Sequence, residues 1–168
     1  MFFGVQLQQV LPYCDIIIGN ESEAEAWAGA NGVPDPKDLI AVAKAIASLP
    51  KANPSLPRIV VITQGAESTI LVSSAELDTP KIHAVKALTD EEIVDTNGAG
   101  DAFAGGFLGA FISGKNLDEC VEVGHKLGGM CVGQVGIYST NSFHTAKAQK
   151  SLSSQVGPQY KWPKVKII

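Results

Sequence analysis

The sequence predicts an α/β layered fold. Three features carry the prediction: short apolar runs bounded by turn residues, such as Ile16-Ile17-Ile18 and Ile59-Val60-Val61-Ile62; intervening segments whose apolar residues recur at helical spacing; and a glycine-rich passage near residue 100 where an apolar run gives way to a helix. Alternating strands and helices bury both faces of a sheet, which is the α/β solution to layer packing.

The elements follow in order. Val5 to Leu11 reads as the end of a helix stopped at Pro12, since proline cannot continue an α-helix. Cys14 to Ile18 reads as a short buried strand ending at Gly19-Asn20. Glu21 to Ala30 is rich in Ala and Glu and closes at Asn31-Gly32, a helix with a C-terminal stop; Pro36 to Leu49 is a second helix with Leu39, Ile40, Ala43, Ile46 and Ala47 on one face. Pro50 to Pro57 holds three prolines and is a loop. Arg58 to Thr63 is a strand, Gln64 to Ser68 a turn, and Thr69 to Ser73 a second strand, together a hairpin, with Lys81 to Val85 as a third strand of a small antiparallel set. Ile93-Val94 then runs as a short strand into the glycine turn, followed by one helix to Ser113 and another from about Leu117 to Gly133.

The chain has 168 residues, 45% of them apolar and 18% charged, the composition of a globular protein with a sizeable core. A net charge of −4 argues against a general nucleic-acid or membrane-surface binder. Cys14, Cys120 and Cys131 form no Cys-x-x-Cys pair and suit a reducing compartment; Cys120 and Cys131 lie three helical turns apart, on one core-facing stripe. Met1 to Val10 lacks a basic flank and is interrupted by Gln6, Gln8 and Gln9, so no targeting segment is expected, and no apolar run is long enough to span a bilayer. The expected location is the cytoplasm, the nucleus being the alternative. Trp27 is expected in the core, and neither His83 nor His144 has a partner at metal-ligand spacing.

The chemistry concentrates at Ile93-Val94-Asp95-Thr96-Asn97-Gly98-Ala99-Gly100-Asp101-Ala102-Phe103-Ala104-Gly105-Gly106-Phe107. Asp95 and Thr96 can cap the turn; after Gly100, Ala102, Phe103, Gly106, Phe107, Ala110 and Phe111 recur at helical spacing. Bare N–H groups at a helix start, with the positive end of the helix dipole, attract an anion. Asp101 is then a base beside a bound anion, an arrangement suited to phosphoryl transfer to a hydroxyl. Two other glycine motifs fail: no Lys follows Gly100 as a Walker A loop requires, and Phe103 stands where a dinucleotide fingerprint needs its third glycine.

The run Asp95-Thr96-Asn97-Gly98-Ala99-Gly100-Asp101-Ala102-Phe103 with Gly105-Gly106 resembles the C-terminal signature of the ribokinase-like (PfkB) carbohydrate and nucleoside kinases. The resemblance implies a three-layer α/β/α fold, of which this chain is the C-terminal portion of the large domain, with the lid and the N-terminal strands missing. It makes residues 1–168 one partial kinase domain: family-like over about 5–135, an atypical insert at about 137–154, and a family-like tail at 158–168. The insert is expected to be a retained intervening sequence or a lineage-specific addition.

Within that family, Asn97 where many members carry Thr, together with Pro12-Tyr13-Cys14-Asp15, Gly19 to Ala24 and Thr63-Gln64-Gly65, is similar to the branch that phosphorylates adenosine. The resemblance implies ATP as co-substrate, Mg²⁺ as cofactor, adenosine as acceptor at its 5′-hydroxyl, AMP as product and a monomer in full-length form. Asp101 would be the catalytic base. Asn97, Gly98, Ala99 and Gly100 would form the anion hole. Asn20, Gln64, Gly65 and His125 would bind ATP, and Glu23 would hold Mg²⁺ through water. Mg²⁺ needs few carboxylates, so one Glu suffices.

Each of the outlying residues also has a plainer reading. Asn20 and Glu23 have the spacing of a helix capping box, Gly65 that of an ordinary hairpin turn, and His125 that of a packed helical residue. The alternative functions are a ribokinase-like sugar kinase and a truncated, non-catalytic paralogue. If the 168 residues are the whole product, no adenosine phosphorylation is expected, because the sugar-binding half is absent.

Overall fold

The computed structural model describes residues 4–133 and 165–167. The segment 137–154, most of the tail and His144 lie outside the described residues. The chain divides into two compact units, one formed by Met1–Val85 with Pro163–Ile168 and the other by Lys86–Trp162.

The first unit is a mixed five-stranded sheet with helices. Helix α1 (Gly4–Val10) runs into a 3₁₀ turn at Leu11–Tyr13, where Pro12 ends the α-helix. Strand β1 (Ile16–Asn20) follows, then α2 (Glu21–Ala30), α3 (Leu39–Ala47), β2 (Ile59–Thr63), β3 (Ser68–Ser73) and β4 (Lys81–Ala84). Strand β5 (Val165–Ile167), from the tail, completes the order β4-β3-β2-β1-β5. β1 pairs parallel with both β2 and β5, while β2-β3-β4 is an antiparallel meander with Val61 opposite Leu71. The expected hairpin is therefore present, and the parallel pair explains why β1 reads as an unbroken apolar run.

Three departures from the sequence reading have a clear local cause. Cys14 precedes β1, because its N–H closes the 3₁₀ turn onto Leu11 O (3.1 Å). Helix α3 starts at Leu39 rather than Pro36, because Asp38 caps it by accepting from Ala41 N–H (3.0 Å). Ile93-Val94 is not a strand: the Val94 N–H donates to Val132 O at the end of a helix (3.0 Å), and both side chains are exposed.

The core of this unit packs Ile17, Val60, Ile62, Ile70 and Val72 of the sheet against Ala24 and Ala28 of α2 and Leu39, Val42, Ala43, Ile46 and Ala47 of α3. Each fully buried aliphatic side chain contributes roughly 1.5–3 kcal/mol. One buried residue is charged. Arg58, at the foot of β2, is 0% exposed and donates to five carbonyls: Nε to Cys14 (3.2 Å), Nη1 to Ile46 (3.1 Å) and Leu49 (2.6 Å), Nη2 to Leu11 (2.8 Å) and Pro50 (3.1 Å). These carbonyls lie at the chain turns that close α1 and α3, where the last helix carbonyls run short of backbone donors; only those of Leu11 and Ile46 also accept a backbone N–H, from Cys14 and Leu49. Burial lowers the Arg58 pKa, opposed by the Cys14 and Asp15 charges. Nearby, Lys51 forms an ion pair with Asp15 and donates to Leu56 O (2.6 Å), pinning the proline-rich loop.

The described part of the second unit is a loop, α4 (Ala99–Ile112) and α5 (Leu117–Val132). α4 buries Phe103, Ala104, Gly106, Phe107 and Ala110, and α5 buries Cys120, Val121, Gly124 and Cys131. The two helices approach closely because glycines face each other. A methyl group on Gly106 would lie 2.9 Å from Val123 O, and one on Gly124 would lie 2.7 Å from the Phe103 ring.

Candidate functional site

The glycine turn of the second unit is built from short-range bonds. The Asp95 carboxylate accepts from Asn97 N–H (2.9 Å) and Asn97 Nδ2 (2.8 Å), an Asx turn that rotates the chain into the helix. Gly98 is the N-cap of α4 at φ 79°, a left-handed conformation that a side chain would strain. With no cap side chain, the first helical N–H groups stay open. Ala102 N–H is satisfied by Gly98 O (2.9 Å), and Ala99 N–H makes a long 3.4 Å contact to Thr96 O. Among the described residues, the N–H groups of Gly98 and Gly100 have no acceptor. Asp101 follows in the first turn with its carboxylate exposed. Open donors, the positive end of a helix dipole and one exposed acidic residue thus fall within Gly98 to Asp101. Asn97, also expected in the anion hole, differs: its N–H and Nδ2 are both turned to the Asp95 carboxylate, so it shapes the turn and offers no open donor.

α5 supports this turn. Val132 O accepts from the N–H groups of Val94 (3.0 Å) and Asp95 (3.1 Å), and the Cys131 thiol donates to Asn97 O (3.5 Å). Gly128 lets the backbone of α5 lie over Ala99, whose carbonyl would be 3.3 Å from an added methyl. His125, expected to bind ATP or to pack within its helix, has its ring centroid 5.6 Å from that of Phe103.

In the first unit, Asn20 ends β1 and lies in register with Thr63, the last residue of β2. The carboxyl ends of a parallel pair are where open α/β sheets bind ligands. Asn20, Glu23, Gln64 and Gly65 all gather at that end of the sheet. Asn20 Oδ1 accepts from Glu23 N–H (2.9 Å) while Glu23 Oε2 accepts from Asn20 N–H (2.8 Å), a full capping box. The same box recurs at the start of α5, where Asn116 and Glu119 exchange bonds of 2.9 and 3.0 Å. The Asn-x-x-Glu geometry is thus explained by helix capping alone. What distinguishes the first box is its place at the sheet's carboxyl end. One oxygen of Glu23 is used in the cap, leaving Oε1 to hold a water, which fits a Mg²⁺ bound through its hydration shell and not a cage of carboxylates. Among the described residues no three His, Cys, Asp or Glu gather as direct metal ligands.

Gln64 and Gly65 form the β2–β3 turn. Gln64 N–H donates to Ser68 O (2.8 Å), the Ser68 hydroxyl donates to Gln64 Oε1 (2.7 Å), and Gly65 sits at φ 54°. Beneath the α2 N-terminus lies a small apolar cavity of about 50 Å³, lined by Gly19, Asn20, Glu23, Trp27, Ile17 and Val61 among others. Trp27 is partly buried and packs against the core of this unit, and its buried Nε1 has no hydrogen-bond partner among the described residues. Sequence reasoning missed Gly124, Gly128 and Cys131 as supports of the turn. Their spacing of three or four residues along one helix face was the available signal.

The profile of the family described as "pfkB family carbohydrate kinase" matches residues 3–143, spanning both units. A protein named adenosine kinase from Schizophyllum commune is 52% identical over 167 residues, 99% of this chain and 42% of that protein. Another from Schizosaccharomyces pombe is 45% identical over 131 residues, 78% of this chain and 37% of that protein. Among solved structures, Anopheles gambiae adenosine kinase in complex with P1,P4-di(adenosine-5) tetraphosphate superposes with a TM-score of 0.76 at 37% identity, covering 80% of this chain and 39% of that one. The chain spans about two fifths of the length of the curated relatives it matches. Among the described residues no helix is long and apolar enough to cross a membrane.

Proposed function

The chain belongs to the pfkB family of carbohydrate kinases, and we propose that the protein it represents transfers the γ-phosphate of ATP to the 5′-hydroxyl of adenosine, giving AMP and ADP. The observation that carries the reading is the turn at Asn97 to Asp101, with open N–H groups and an exposed carboxylate on one helix start. Relatives named adenosine kinase support adenosine, in place of a carbohydrate, as the acceptor. The two units are proposed to belong to one partial kinase domain, acting in the cytoplasm as part of a monomer.

Gly98 and Gly100 donate their N–H groups to the oxygens of the transferring phosphoryl group, with Ala99 joining when its weak contact to Thr96 yields. Each such donor is worth ~2.7–4 kcal/mol where it has been removed from other enzymes. Asp101 orients the acceptor hydroxyl and takes its proton. A carboxylate is far too weak a base to deprotonate an alcohol beforehand, so the proton leaves late, as the new O–P bond forms in a loose transition state. Gln64 and Gly65 at the β2–β3 turn, Asn20 at the end of β1 and His125 on α5 are assigned to ATP. Glu23 would hold Mg²⁺ through a water on its free oxygen; the ion, when bound, neutralises phosphate charge.

The test joins this chain to the rest of the Schizophyllum commune relative, in place of the segment it matches, and assays the purified chimera with ATP, Mg²⁺ and a panel of nucleosides and sugars. ADP formation dependent on adenosine is expected. Turnover with a sugar in preference to adenosine, or with no acceptor at all, overturns the proposal.

A further inference from the structure

Resting on that reading, we propose that Cys131 is a positioning residue that sets the direction of the Gly98 N–H and so holds the anion-binding turn in its working form. A trans peptide is planar, so the Asn97 carbonyl and the Gly98 N–H point in opposite directions and turn together. Nothing intrinsic fixes that plane. Gly98 tolerates either sign of φ, and a half-turn of the peptide would exchange its donor for the Asn97 carbonyl oxygen, which repels an anion. The surrounding bonds hold neighbouring groups instead. Val132 O takes the N–H groups of Val94 and Asp95, and the Asp95 carboxylate takes the N–H of Asn97. Among the described residues, the Asn97 carbonyl has one donor, the thiol of Cys131 at 3.5 Å. Cys131 is itself buried, 6% exposed, on the last turn of α5, so the bond is sheltered on the side of the thiol.

A thiol makes a weak hydrogen bond. Its effect here comes from choosing between two orientations of one peptide, where a small preference changes the population that can bind the transition state. Deleting an anion-hole donor lowers kcat by ~10²–10³ in other enzymes; a misdirected donor that still visits the right orientation costs less, about 10-fold.

The experiment compares Cys131→Val, which removes the donor at similar size, with Cys131→Ser, which keeps it. In the isotope-labelled chain, the carbonyl carbon of Asn97 and the amide of Gly98 are expected to shift in Cys131→Val and to stay near their original positions in Cys131→Ser. In the chimera, kcat is expected to fall about 10-fold in Cys131→Val with KM for ATP within twofold, and to be restored in Cys131→Ser. Unchanged Asn97 and Gly98 resonances in Cys131→Val, or identical behaviour of the two variants, overturns the proposal. An unmutated chimera that phosphorylates nothing overturns the kinase reading instead, while the resonances still decide the peptide. Should Cys131→Val fail to fold, Cys131→Ala against Cys131→Ser decides by the same readouts.

Discussion

Two adjacent glycines on α4 are expected to respond to the same substitution with opposite signs. At Gly105 an added methyl meets nothing within 4 Å, so Gly105→Ala removes a flexible residue from a helix interior and stabilises the protein by ~0.5–1 kcal/mol. At Gly106 the same methyl lies 2.9 Å from Val123 O, 3.0 Å from Leu127 Cδ1 and 3.2 Å from Gly124 Cα. The leucine methyl can swing away; the two backbone atoms cannot, so α5 must retreat. Forcing a methyl into a packed interface costs ~1–3 kcal/mol. The helix-propensity gain is common to both variants, so the difference between them isolates the packing cost, again ~1–3 kcal/mol. With a urea dependence of ~1–3 kcal/mol per molar, the two unfolding midpoints should differ by about 1 M. Because the retreating helix carries Cys131 and Val132, Gly106→Ala should also lower turnover in the chimera, and Gly105→Ala should not. Coincident midpoints, or a Gly106→Ala protein more stable than the parent, would refute the close-packing argument.

Other consequences are equally direct. Arg58→Met removes the guanidinium donor from five carbonyls, of which only those of Leu11 and Ile46 keep a backbone N–H, and should lower stability by at least ~3 kcal/mol in urea unfolding, with Arg58→Lys intermediate because an ammonium has fewer donors and no planar fork. Cys120 is fully buried; burial, and then the Glu119 charge, pushes its thiol up to about 11, so iodoacetamide at pH 8 should leave it unmodified in the native protein and label it after unfolding. The Glu92 carboxylate accepts from the Thr89 N–H (2.8 Å) and hydroxyl (3.1 Å), which hold its pKa below the usual range. That contact therefore supports the loop above the ordinary carboxylate pKa and is lost as pH falls through the depressed one. Thr89→Val, which keeps the stronger backbone bond, should raise the Glu92 titration midpoint seen by NMR without restoring it fully.

Local chemistry made much of this legible in the sequence. Pro12, Asn31-Gly32 and the three prolines of the 50–57 loop mark element ends because they limit backbone geometry wherever they stand, and α5 was placed correctly by its apolar period. The glycine turn was readable for the same reason: Gly98 at φ 79° is a requirement of one residue's own backbone. What escaped depends on partners distant in sequence. Ile93-Val94 has strand composition, yet its backbone finds the end of α5 in place of a neighbouring strand. Arg58 reads as a polar strand start until the carbonyls of residues 11, 14, 46, 49 and 50 converge on it. The box formed by Asn20 and Glu23 shows a further limit. Its pattern was visible, but the identical box at Asn116 and Glu119 means that geometry alone does not separate a cap from a cap that also serves a ligand.

The central claim is that the carboxylate of Asp101 takes the acceptor's proton beside an anion-binding helix start. The most direct measurement compares kcat of the chimera with that of its Asp101→Asn variant, with ATP affinity measured in parallel by calorimetry. A loss of kcat of at least ~10²-fold, with ATP affinity changed less than about threefold, is the predicted result. Turnover that survives the substitution, or ATP binding lost to the same degree as turnover, would contradict the assignment.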